Sequence, residues 1–344
     1  MYVELVLLAL GCFVVSALLT RAMRTLALSH GLLDVPNERS SHTQPTPRGG
    51  GVAIVATATA CFAVLAVSRR LDGALLAALA GSLPVAVIGF MDDRRALPVA
   101  VRLAAHTAAA MWAVAWLGGF PALRLGDHVI SFGAAGFVFG ALGVAWVMNL
   151  FNFMDGVDGI AASEATFVSW AGALLGALSP VSSQVTWAAA LLGAACLGFL
   201  RWNWPPARIF MGDVVSGYLS YVIAVLALAA TRENPVTFWA WLILGGVFFV
   251  DATVTLLRRL LRGERIYEAH RSHAYQRLAR RWGSHSKVTY AVLTVNVLWL
   301  LPCAVFATWR PSLGAATVIF AFAPLVLLTI AASGRREAND RRHS

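Results

Sequence analysis

Along this chain, apolar runs of about twenty residues follow one another, parted by short polar breaks. A helix needs roughly 20 apolar residues to cross bilayer hydrocarbon. About eleven stretches meet that need: 3–28, 50–68, 72–91, 99–118, 131–150, 159–178, 183–200, 214–230, 236–257, 288–308 and 312–332. In hydrocarbon every backbone N–H and C=O must bond within its own segment, so these runs predict helices. The alternating pattern of a membrane β-barrel is missing. The chain is 59% hydrophobic and only 13% charged, against about 25% charged in ordinary soluble domains. The expectation is an all-α, polytopic integral membrane protein, a single transmembrane domain over residues 1–344 embedded in a lipid bilayer. The first run is read as a retained helix. It carries Glu4, no early basic residue and no small-residue cleavage site. Cys12, Cys61, Cys196 and Cys303 lie inside apolar runs without paired spacing, which suits packing better than disulfides or zinc.

The 27 Lys and Arg residues divide unevenly between the two sides that such a succession of spans creates. Most fall in the breaks at 29–49, 92–98, 151–158, 201–213 and 258–287 and in the C-terminal tail. The other side holds only Arg69, Arg70, Arg124, Arg232 and Arg310. The positive-inside rule makes the first side cytoplasmic and places the N-terminus outside, the C-terminus inside. Topology and attraction to anionic lipid account for the net charge of +10, and no nucleic-acid partner is expected.

The acids gather on the same side. Asp92, Asp93, Asp155, Asp158 and Asp213 all fall at run ends or in short cytoplasmic breaks, and Asp251 lies about two turns inside its run. Each taken alone reads equally well as a helix cap. The set implies a polar cleft opening on the cytoplasmic face, because carboxylates are costly at membrane depth. In "FMDDRRALP" (90–98) the adjacent carboxylates repel unless a cation joins them, and Mg²⁺ is one such partner. In "NLFNFMDGVDGIAAS" (149–163), Asn149, Asn152, Asp155 and Asp158 step by three, a polar stripe if the segment is helical. Gly156 and Gly159 follow the two aspartates and permit close approach of a ligand. Asn149, deepest in its run, also reads as a bond to a neighbouring helix.

Three further stretches carry candidate chemistry. "RIFMGDVVSGY" (208–218) puts Asp213 at a helix start beside Phe210, whose ring could stack on a base. "EAHRSHAYQRLARR" (268–281) holds His270 and His273 among arginines, with Arg271 between them. That spacing would put both imidazoles on one helix face, and the arginines favour phosphate over zinc; a solvated basic face is the competing reading. "DVPNERSSHTQPTPRGGGVAI" (34–54) brings Arg39, His42 and Arg48 to a glycine-rich helix entry that could cradle phosphate, or could be a plain polar connection.

Together "PTPRGGG", "MDD", "NLFNFMDGVDGIAA", "FMGDVVSG" and "HRSHAYQ" resemble, in order and over roughly 34–281, the polyprenyl-phosphate N-acetylhexosamine-1-phosphate transferases. The resemblance implies a bacterial inner-membrane enzyme that joins a UDP-N-acetylhexosamine to undecaprenyl phosphate and releases UMP, opening O-antigen or another cell-envelope polysaccharide. It implies Mg²⁺, with Mn²⁺ a possible substitute, on Asp213, and uracil stacked on Phe210. Asn152 and Asp155 match the nucleotide-binding pair, with Asp158 beside them. Asp92 and Asp93 match the acidic pair that handles the lipid phosphate, and His270 and His273 match the motif that meets the sugar-nucleotide phosphates. Two departures stand out: Ala96 replaces a third acid of many relatives, and Arg271 and Ser272 separate the histidines. "LPVAVRLAAH" with "HRSHAYQ" resembles the branch using UDP-N-acetylfucosamine or UDP-N-acetylquinovosamine, so the sugar stays open between these and N-acetylglucosamine. The oligomeric state is open too, a homodimer included.

Two rival functions fit the sequence less well. The CDP-alcohol phosphotransferase motif fits Asp155, Asp158, Gly159 and Ala162, then fails at Ser163 and Gly176. A membrane transporter could use Asp251 as a coupling site, but the chain shows no repeat and its acids sit at one face.

Overall fold

The computed structural model describes residues 2–36, 44–178, 183–234, 237–265 and 270–340. Its helices are α1 (Tyr2–Ser29), α2 (Val52–Val67), α3 (Gly73–Ala80), α4 (Ser82–Arg94), α5 (Val99–Leu117), α6 (Ala135–Met154), α7 (Ile160–Leu178) and α8 (Ser183–Asn203). They continue with α9 (Asp213–Glu233), α10 (Thr237–Leu244), α11 (Gly246–Leu261), α12 (Ala274–Trp282), α13 (His285–Val295), α14 (Leu301–Trp309) and α15 (Gly314–Asp340). A π-helical turn at Asn296–Leu300 joins α13 to α14. Two short antiparallel hairpins, Leu33–Asp34 with Thr46–Pro47 and Leu123–Leu125 with His128–Ile130, are additions that the apolar pattern did not predict.

Each expected apolar run is helical. Among the described residues, nine helices are long and apolar enough to span a membrane, counting α3–α4 and α13–α14 as continuous spans. The run at 236–257 is not one straight span: α10 and α11 meet at Gly245 with a bend of 71°. The 52–67 helix, at 16 residues, is shorter than a full crossing.

Helix α9 is the axis of the bundle. It is buried on nearly every side, with α4, α6, α7, α8 and α10 packed against it. In lipid, close packing rather than water expulsion holds helices together, so small residues mark the crossings. At the α4–α9 crossing a Cβ on Gly89 would collide with the Asp213 carbonyl oxygen, so only glycine lets these backbones meet. That crossing puts the end of α4, with its two aspartates, against the start of α9.

Candidate active site

The polar stripe at 149–158 is split rather than continuous. Helix α6 stops at Met154, and Asp155 leaves helical geometry at φ −90°, ψ 53°. Asn149 and Asn152 stay on the last turns of α6, while Asp155 and Asp158 belong to the connection before α7. The Asn149 side chain donates to the Ala145 carbonyl at 2.7 Å, within its own helix and not to a neighbour. Asp158 is held on several sides. Its Oδ2 accepts the Ala207 N–H at 3.0 Å, its Oδ1 lies 3.2 Å from His285 Nδ1, and its carbonyl accepts the Thr289 hydroxyl at 2.9 Å.

The acidic pair has divided duties. Asp92 accepts the Leu97 N–H at 2.5 Å and pairs with Arg102 at 2.8 Å. Asp93 accepts the N–H groups of Asp213 and Val214 at 3.0 and 3.1 Å, and Arg48 lies within its electrostatic range. The first N–H groups of a helix have no intrahelical partner, and a carboxylate there meets both the orphan donors and the positive end of the dipole. Gly212, at φ +82°, permits this fit: a Cβ there would stand 2.6 Å from Asp93 Oδ2. Asp213 thereby begins α9 beside the acidic pair, with Phe210 half-buried just ahead of it.

Two of the three glycine amides at the entry to α2 are turned inward rather than towards a phosphate. Gly50 and Gly51 N–H donate to the Phe210 and Met211 carbonyls, both at 3.0 Å, and the Phe210 N–H donates to Pro47 at 2.8 Å. The segment is a clasp that fixes Phe210 and Met211, just ahead of Asp213, with Arg48 left exposed at its edge. Arg39 and His42 lie outside the described residues.

His270 and His273 do not share a helix face. Both precede α12, with ring centroids 4.8 Å apart. Asp251 organises them: it accepts the Ala274 and Tyr275 N–H groups at 2.8 and 2.9 Å and lies 3.4 Å from His273 Nδ1. His273, 2% exposed, stacks on Phe153, whose carbonyl accepts the Tyr275 hydroxyl at 2.9 Å. Burial pushes the Tyr275 phenol far up, with Asp251 and Asp155 adding to it. His270 and Arg271 instead face a basic cavity of about 320 Å³, lined also by Arg259, Ser272, Arg277 and Arg280. His270 Nε2 and one terminal nitrogen of Arg271 are buried without a hydrogen-bond partner among the described residues, as an anion-binding wall would leave them. Burial, then His273 and Arg259, push the His270 imidazole down to about 4, against an opposing pull from Asp251.

The acids are mutually close. Burial, then the charges of Asp213, Asp93 and Asp158, push the Asp155 carboxyl up to about 7. Such crowding is relieved by a divalent cation, and an all-carboxylate donor set suits a hard one. Among the described residues no three His, Cys, Asp or Glu side chains make a ready cage. Mg²⁺ needs none, since it takes one or two carboxylates and fills its shell with water and substrate phosphates. The residues therefore fit Mg²⁺; both oxygens of Asp93 are committed to the α9 amides, and Asp155 and Asp213 are the acids that could offer an oxygen to it.

The parts played by Arg102, His285 and Asp251 emerge only in the folded chain. Arg102 had a signal, a cation inside an apolar run. His285 had none, since it sits behind Ser284 as an ordinary polar first turn of a helix.

Compared with known proteins, the chain matches glycosyl transferase family 4 over residues 75–231. It is 31% identical over 336 residues to a decaprenyl-phosphate N-acetylglucosaminephosphotransferase of Mycolicibacterium smegmatis, covering 86% of this chain and 80% of that one. It is 28% identical over 306 residues to a Bacillus subtilis protein named "Probable undecaprenyl-phosphate N-acetylglucosaminyl 1-phosphate transferase", covering 85% of this chain and 83% of the other. An undecaprenyl-phosphate alpha-N-acetylglucosaminyl 1-phosphate transferase of Thermotoga maritima is 26% identical over 291 residues, 83% of this chain and 87% of its own length.

Proposed function

The chain belongs to glycosyl transferase family 4, the polyprenyl-phosphate N-acetylhexosamine-1-phosphate transferases, and from that premise we propose that it transfers an N-acetylhexosamine 1-phosphate from a UDP-sugar to undecaprenyl phosphate. An oxygen of the lipid phosphate forms a bond to the β-phosphorus. The bond from that phosphorus to the α–β bridging oxygen breaks, and UMP leaves with it. The product is undecaprenyl-diphospho-sugar. The transporter alternative has no support in this membership, and Asp251, its candidate coupling site, is already engaged in capping α12.

The observation that carries the reading is the meeting of four chain segments at one place. The end of α4 is hydrogen-bonded to the start of α9 and the 270–275 segment to the end of α6, and the carboxylates of the 155–159 connection, α4 and α9 lie within one another's electrostatic influence. Phosphoryl transfer asks chiefly for positioning and charge neutralisation. Asn152 and Asp155 would hold the nucleoside portion, Phe210 would stack on the uracil, and Asn149 would support α6 behind them. Asp158 would approach the phosphates. His270 and Arg271 would receive the diphosphate, with His273 keeping that segment in place, while Arg48, Asp92 and Asp93 border the lipid phosphate's approach. When bound on Asp213, Mg²⁺ supplies charge neutralisation of the diphosphate.

Purified protein, undecaprenyl phosphate, Mg²⁺ and a panel of UDP-N-acetylhexosamines, scored for UMP release, tests the reaction and the sugar together. Release with none of the panel would sink the reading. The basic asymmetry supports an inner-membrane orientation with the N-terminus outside and the site and C-terminus cytoplasmic. A C-terminal reporter active only outside the cytoplasm would overturn it.

A further inference from the structure

We infer that His285 is a positioning residue for Asp158, acting from a helix that otherwise stands behind the site. The inference rests on the transferase reading above. Residues His285 and Thr289 lie one turn apart on α13 and grip the same residue. His285 Nδ1 stands 3.2 Å from Asp158 Oδ1 and 3.4 Å from the Asp158 backbone nitrogen. With a proton on Nδ1 the ring donates to the carboxylate; without one it accepts the backbone N–H, so the ring stays on Asp158 in either state. The Thr289 hydroxyl, fully buried, holds the Asp158 carbonyl from the next turn. From the stretch after α8 the Ala207 N–H donates to Oδ2, and at the end of α8 Asn203 Oδ1 accepts the N–H of Gly159 at 3.1 Å.

Asp158 is therefore fixed in backbone and carboxylate together, which a loop residue between two helices could not achieve alone. Ser284 accepts the Lys287 N–H at 3.3 Å and sets the first turn of α13 from which His285 projects. Helix α12, one short turn earlier, carries the histidine segment at its start. His285 thus ties the connection at 155–159 to the same α12–α13 unit that presents His270 and Arg271. A shift of that unit would move Asp158 with it.

The test is kinetic and uses the full-length protein in detergent. His285→Ala is expected to lower kcat/KM for the UDP-sugar by about 10- to 100-fold, the usual loss when a partner orienting an active-site ligand is removed. UMP affinity by calorimetry is expected to fall in parallel, while KM for undecaprenyl phosphate stays put. His285→Asn, whose amide can donate where Nδ1 does, recovers most of the loss; His285→Leu, which fills the space without a donor, does not. In a double-mutant cycle His285→Ala adds nothing to Asp158→Asn, because both remove one unit. Additive losses, or rescue by leucine, would show a packing role and overturn the inference, and so would wild-type kinetics in His285→Ala. If His285→Ala does not fold, the leucine and asparagine variants decide between the same outcomes. A wild-type protein that releases no UMP would instead undo the transferase reading, so the two failures are distinguishable.

Discussion

Asp93 caps the helix that Asp213 begins, accepting the backbone N–H groups of Asp213 and Val214 across a separation of 120 residues in the chain. Both its oxygens are spent on this contact, so its first duty is to place Asp213. Asp93→Ala should lower the melting temperature and UMP release together, with the cap alone worth about 0.5–2 kcal/mol. Asp93→Asn, which keeps one acceptor, should fall between wild type and alanine in both. Differential scanning fluorimetry beside the release assay checks this. Lost activity at an unchanged melting temperature would mean that Asp93 acts on substrate instead.

Asp213 is the donor expected to hold the divalent cation. Asp213→Asn should bring UMP release to background and weaken Mn²⁺ binding, read by electron paramagnetic resonance titration in the presence of UDP-sugar. The protein should still fold, because the backbone N–H of residue 213, not its side chain, donates to the Asp93 cap. Near-normal Mn²⁺ affinity would assign the metal elsewhere.

Two backbone hydrogen bonds on Phe210 and a third on Met211 fasten this segment to the glycine clasp before α2. Stacking of a base on an aromatic contributes on the order of 1–3 kcal/mol, so Phe210→Ala should raise KM for the UDP-sugar by roughly 5- to 150-fold. Phe210→Trp should be tolerated far better. An alanine variant with unchanged KM would place the uracil elsewhere.

His270 is neutral at pH 7, since burial and neighbouring positive charge push it down to about 4. An unfolded histidine takes up its proton near pH 6.5, so between about 6.5 and 4 the unfolded chain binds more protons than the folded one. Stability from this group is therefore intact above about pH 6.5 and declines as pH falls towards 4. His270→Gln should flatten that acid limb of the melting temperature while leaving the value at pH 8 nearly unchanged. An identical acid limb in the variant would show that another group sets it.

Hydropathy summed over a span is a local property, so the sequence by itself determined where the apolar helices lie and that Asp92, Asp93, Asp155, Asp158 and Asp213 fall at their ends or in the breaks between them; of the eleven expected crossings, nine helices among the described residues are long and apolar enough to span a membrane. It also determined which residues carry the family's motifs. Only the tertiary structure decided what each carboxylate is bonded to. Helix first turns expose N–H groups that any carboxylate in the chain can satisfy. Nothing in the spacing of "MDD" tells that Asp93 serves α9, or that Asp251 serves α12. The same holds for the break of the polar stripe at Asp155, the bend at Gly245, and the last two glycines of "PTPRGGG" turning their amides to Phe210 and Met211 rather than outward. His285 is the extreme case. Its place in the sequence is an ordinary helix start, and its contact with Asp158 exists only because α13 folds back onto a connection 127 residues earlier.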